Sequence, residues 1–196
     1  MSRVLFLGLV PALSLLASCS GTPDPRTVEG TLGYMAQAVE AGDARMLFRV
    51  VDSRARHAMI SIVADRHRAA ELVRRTYPTD QRDAALAALG DAADASDAPA
   101  LFAHRCGAPC MQGIGALVGP PANVRTAGQE TFVRTSKGTE IVLFRKNAGD
   151  WYGFVWRTAE LAAERDRANR DLHVIEENAA TYERRRQLEQ QAPATP

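Results

Sequence analysis

The chain has 196 residues, with 24 lysines and arginines against 23 acidic side chains and a formal net charge of +1. That length accommodates one domain with a substantial core plus an additional element. The balanced charge excludes the electrostatic footprint of a nucleic-acid binder, and the dominance of arginine, with Lys137 and Lys146 the only lysines, reads as compositional bias.

The first residues, Met1-Ser2-Arg3, make a short basic start, and an apolar run from Val4 to Leu16 follows. Small residues then precede a cysteine. This order is that of a secretory signal. The run of about 13 residues is shorter than the ~20 a spanning helix needs. Leu16-Ala17-Ser18-Cys19 resembles the lipobox of bacterial lipoproteins. The resemblance implies cleavage before Cys19, acylation of its thiol and new amino group, and attachment to the membrane facing the periplasm. Residues 1–18 are then the signal and residues 19–26 the lipidated cysteine with a Pro- and Gly-containing tether. By the same resemblance, Ser20 in place of an aspartate points to the outer membrane. Processing removes Arg3, leaving basic and acidic side chains equal in number.

The body of the chain, residues 27–157, reads as α+β. Thr27 caps a helix whose stripe is Val28, Leu32, Met35 and Val39, and Gly42 stops it. Asp43 caps a short second helix, and Ser53 opens a third with the inner face Ala55, Met59, Ile62, Ala69 and Val73. A fourth begins near Thr79. Residues 91–97 carry no large apolar side chain and read as a solvated connection or at best a frayed turn. Ser96 caps a helix ending at Cys106-Gly107, and residues 107–121, rich in glycine and proline, read as a loop.

Beyond Pro121 the period changes to two. Strands are expected at 123–127, 130–135, 140–145 and 151–157, joined by turns of hairpin length into an antiparallel meander. The last two runs are apolar at both parities, which predicts cover on both faces. The aromatic residues Trp151, Tyr152, Phe154 and Trp156 read as core rather than as a stacking platform. Thr158 caps a long charged helix over 158–190 with the seam Leu161, Ala168, Leu172, Ile175, Ala179 and Tyr182. The part up to about Ala179 is expected to pack and the rest to project; residues 191–196 read as a disordered tail.

The helices followed by a meander, with Ala41-Gly42-Asp43 between the first two helices, residues 47–52, and the strands over 130–157, resemble the NTF2-like superfamily. That resemblance implies a cone-shaped α+β fold, and it is compatible with enzymes, ligand binders and interaction modules alike. The long last helix and the insert around Cys106 and Cys110 depart from the family pattern.

Candidate chemistry is sparse. Cys106 and Cys110 are an even pair once Cys19 is lipidated, and an oxidising compartment favours a disulfide. Other readings of the same stretch are a soft metal or redox site, with His104 and Met111 completing the ligands, and unpaired thiols. His57 and His67 lie near Asp52 and Asp65, so that a histidine–aspartate pair in a pocket can be a general base, although solvated histidines on a charged flank are the commoner case. No Gly-x-Ser-x-Gly, His-Glu-x-x-His or phosphate-loop pattern occurs. The expectation is a non-enzymatic, cofactor-free envelope lipoprotein binding a protein partner or itself, with a small-ligand binder or enzyme as the alternative.

Overall fold

The computed structural model describes residues 22–191. Residues 16–19, which resemble a lipobox, and the residues after Gln191 lie outside the described residues. The architecture is α+β: N-terminal helices, a four-stranded antiparallel sheet, then a long C-terminal helix.

Helix α1, Val28–Glu40, begins where the Thr27 hydroxyl accepts from Gly30 N–H, and it buries Leu32, Met35 and Ala38. Helix α2, Ala44–Phe48, is capped by Asp43 through Met46 N–H. Helix α3, Ser53–Thr76, opens at Ser53 as expected, takes Asp52 as its cap, and buries every residue of its expected inner face. Helix α4, Thr79–Ala87, follows Pro78. The expected solvated connection contains a 3-10 turn, Asp91–Ala93, with Ala92 buried. Asp97 rather than Ser96 caps α5, Ala98–Arg105, by accepting from Ala100 N–H.

The stretch expected as a loop is largely a helix, α6, Ala108–Leu117, with Met111 and Ile114 buried. Its glycines misled the reading because one of them serves packing. A Cβ at Gly115 would lie 2.7 Å from Val39 Cγ1, so the glycine lets α6 approach α1. Pro109 sits in the first turn, where its missing N–H costs no helical bond.

The strands are β1 (Pro121–Ala127), β2 (Glu130–Thr135), β3 (Glu140–Phe144) and β4 (Gly153–Phe154), in that order across the sheet. Register pairs Val124 with Val133 and Phe132 with Val142. The strand expected over 151–157 shrinks to two residues, and Trp151 is half exposed rather than core. The outer edge of β4 is not free. Phe154 N–H donates to Val50 O at 2.8 Å, and Asp52 N–H donates to Phe154 O at 3.0 Å. Gly153 makes this approach possible, since a Cβ there would lie 2.5 Å from Asp52 Cα. Among the described residues the open edge of the sheet is therefore β1, whose residues are exposed apart from half-buried Pro121.

Thr131, Val133, Ile141 and Leu143 are buried on the inner face. The other face carries Phe132, Val142 and Phe144. Cover here comes from single side chains, not from a further layer as the two-sided apolar runs suggested. The Arg54 guanidinium lies 3.9 Å from the Phe144 ring centroid and that of Arg125 lies 4.3 Å from Phe132. Phe132 and Val142 stay half-buried.

Helix α7, Thr158–Gln191, packs along α3. The two run parallel, because the ion pairs Arg66–Asp171, Arg68–Glu176 and Arg75–Glu183 advance in the same direction on both. Leu172 and Ile175 join Ala69, Ala70, Val73, Tyr77 and Leu89 in a second core cluster. Tyr182 closes the packed part, its ring 4.9 Å from that of Tyr77 and its hydroxyl donating to Gln81. Residues 183–191 are exposed. Leu172→Ala is expected to cost about 3 kcal/mol as a buried truncation. Among the described residues, deletion from Glu183 onward removes one surface ion pair, Arg75–Glu183, and is expected to change stability by less than about 0.5 kcal/mol. Urea melts of the two variants check both outcomes.

Candidate functional site

Asp52 is a hub of polar contacts, and its side chain has no exposed surface. Its Oδ1 accepts from Arg54 N–H and Arg54 Nε, each at 3.0 Å, and from Ala55 N–H at 3.3 Å. Its Oδ2 accepts from the Thr158 hydroxyl at 2.6 Å. The carboxylate thus stands at the N-termini of two parallel helices, where both macrodipoles favour negative charge. The Thr158 hydroxyl is directed at Asp52, while Arg157, with φ of 48°, supplies the carbonyl that accepts from Leu161 N–H. The cap position of α7 is therefore Arg157, not Thr158 as the sequence suggested.

The structure does not gather the proposed acid–base set. His57 is exposed. His67, ten residues along the same helix and so about 15 Å away in rise, has Nε2 2.7 Å from Ala95 O. Asp52 has its lone pairs engaged by the helix ends. Met59, Val133 and Leu143 are fully buried in the main core cluster.

Cys106 and Cys110 form a disulfide pair with Cα atoms 5.0 Å apart. Cys106 is buried at the C-terminus of α5 and Cys110 lies in the first turn of α6, so the bridge sets the corner between these helices. Met111 packs into the core and His104 is exposed, which separates them from a common ligand position. Among the described residues no group of three or more His, Cys, Asp or Glu is placed to hold a metal. A groove of about 660 Å³ borders the disulfide, between the end of α1 and the start of α6.

Sequence reasoning missed Arg105. Its guanidinium forks between Asp91, at 2.7 and 2.8 Å, and Glu164, at 2.8 and 2.9 Å. The hydrogen bonds that Arg105 donates to Asp91 push the guanidinium pKa up, and in return Arg105 holds the Asp91 carboxyl below the usual carboxylate range. No local signal announced the cluster, because Glu164 is 59 residues from Arg105. A depressed carboxylate stabilises the fold fully above its unfolded pKa, about 3.9, and that contribution is lost as pH falls through the lower folded value. The wild type is therefore expected to lose melting temperature more steeply than Asp91→Asn below about pH 4. Parallel acid titrations of the two melting temperatures check this.

Among the described residues no helix is long and apolar enough to cross a membrane. Lipidation at Cys19 falls outside the described residues. No family model matches the chain, and neither a curated protein nor a solved structure matches it.

Proposed function

We propose that this chain is a lipid-anchored protein of the bacterial envelope, facing the periplasm, whose α+β domain is a non-enzymatic module for binding a protein partner or a second copy. The anchoring half rests on Leu16-Ala17-Ser18-Cys19 and the apolar run before it. The interaction half rests on one observation, the open edge of β1. Among the described residues no strand pairs with its outer side, where alternate residues of the seven-residue strand turn their backbone groups outward, and Val124 is 46% exposed. Such an edge is a template for strand addition, and natural proteins normally cover, shorten or distort it.

Palmitate labelling tests the anchor. Wild type is expected to incorporate label and Cys19→Ala to lack it and leave the membrane fraction; equal labelling of both overturns the anchor. A photo-crosslinking residue at Val124 tests the edge. It is expected to give a discrete adduct in membranes that the same residue at Ile60, exposed on α3, does not give. Identical patterns from both positions overturn the edge as the binding surface.

A further inference from the structure

The start of the described chain is not a loose tether. The Pro23 ring lies over Gly33, where a Cβ would meet it at 3.3 Å, and a Cβ at Gly30 would collide with the Asp24 carbonyl. Pro25 O accepts from Tyr152 N–H at 2.8 Å and from the Thr31 hydroxyl at 3.0 Å. Residues 23–25 are thus held between α1 and the turn that joins β3 to β4. The bond from Tyr152 places its neighbour Trp151 beside the emerging chain. Thr22, Pro23, Pro25 and Trp151 line one groove of about 690 Å³ together with Met46 and Arg49.

Three peptide links separate Thr22 from Cys19, a reach of at most about 11 Å. A lipid on Cys19 therefore brings the bilayer surface to within that distance of a fixed point on the domain. Trp151, 43% exposed, stands at that point. An indole with an apolar body and one N–H donor suits the headgroup level of a membrane. Two carboxylates, Asp43 and Asp97, and two guanidiniums, Arg45 and Arg49, line the same groove. Asp43 is engaged as the cap of α2, and Asp97 caps α5 and pairs with Arg45. Arg49 is exposed, and among the described residues its side chain has no acidic partner, which leaves a cation for lipid phosphates.

We propose that this groove face lies against the bilayer surface, with Trp151 seated among the lipid headgroups and Arg49 facing their phosphates. The proposal rests on lipidation of Cys19 and deepens it, because it assigns the domain one orientation on its membrane. Short attachment and an interfacial tryptophan at the attachment point act together, the anchor raising the local concentration of lipid at Trp151.

The test uses the lipidated protein purified from membranes and reconstituted in phosphatidylethanolamine–phosphatidylglycerol vesicles with brominated acyl chains. The emission that Trp151→Phe removes is the Trp151 signal, and Trp156 supplies the remainder. Bromolipids are expected to quench most of the Trp151 signal and to leave the Trp156 signal unchanged. Emission that floats with the vesicles yet is quenched by aqueous acrylamide and not by bromolipid overturns the orientation while leaving the anchor intact. Emission insensitive to both quenchers means that protein covers Trp151, and it also overturns the proposal. If the purified chain does not float, the lipidation reading fails. Coupling the Cys19 thiol to a maleimide lipid then restores the same attachment, and the same quenching decides the orientation by itself.

Discussion

Asp52→Ala is expected to lower stability by about 3–5 kcal/mol, in the range for breaking a buried, hydrogen-bonded charge. The substitution strips the acceptor from Arg54 N–H, Ala55 N–H and the Thr158 hydroxyl at once, so the first turn of α3 loses its cap and α7 loses its tie to it. It also removes the nearest counter-charge of Arg56, whose pKa is lowered chiefly by burial and supported by Asp52. Asp52→Asn keeps the shape and one acceptor oxygen, and it is expected to cost about 1–2 kcal/mol less. Urea unfolding with an unchanged slope checks both values. A loss under 1 kcal/mol for Asp52→Ala would mean that the two helices are held at this end by other contacts.

Phe102→Ala is expected to cost about 4 kcal/mol, as a large buried aromatic truncation. Phe102 has no exposed surface, and its ring centroid lies 5.6 Å from that of Phe48 and 4.8 Å from that of Trp156. The side chain therefore joins α2, α5 and the segment leading into α7, and its removal opens a cavity that three elements border. Phe102→Leu retains most of the volume and is expected to cost less than about 2 kcal/mol. For a domain of this size the alanine variant corresponds to a drop in melting temperature of about 10 °C. Differential scanning calorimetry of the two variants separates cavity cost from loss of ring geometry.

The stripe of α3 and the seam of α7 were legible because a helix repeats its buried face every three to four residues, whatever lies across from it. The alternation of β2 and the turns around Gly138 and Gly149, each with positive φ, were legible for the same local reason. Helix α6 was not. Its glycines are read locally as breakers, and only the presence of Val39 across the interface explains Gly115. The short β4 was hidden likewise, since its partners at residues 50–52 lie about 100 positions earlier in the chain.

The candidate site divides along the same line. The resemblance of residues 16–19 to a lipobox and the spacing of Cys106 and Cys110 are sequence properties, readable because they depend on neighbours along the chain. The roles of Asp52, Arg105 and Trp151 were decided by tertiary structure. Asp52 meets Thr158 across 106 residues, Arg105 meets Glu164 across 59, and Trp151 comes beside the start of the chain through the bond from its neighbour Tyr152 to Pro25. Local pattern is set by backbone geometry and hydrophobic period within a few residues. Which distant polar groups meet is set by how the packed elements bring them together, because a buried donor or acceptor must find its partner wherever the fold places one.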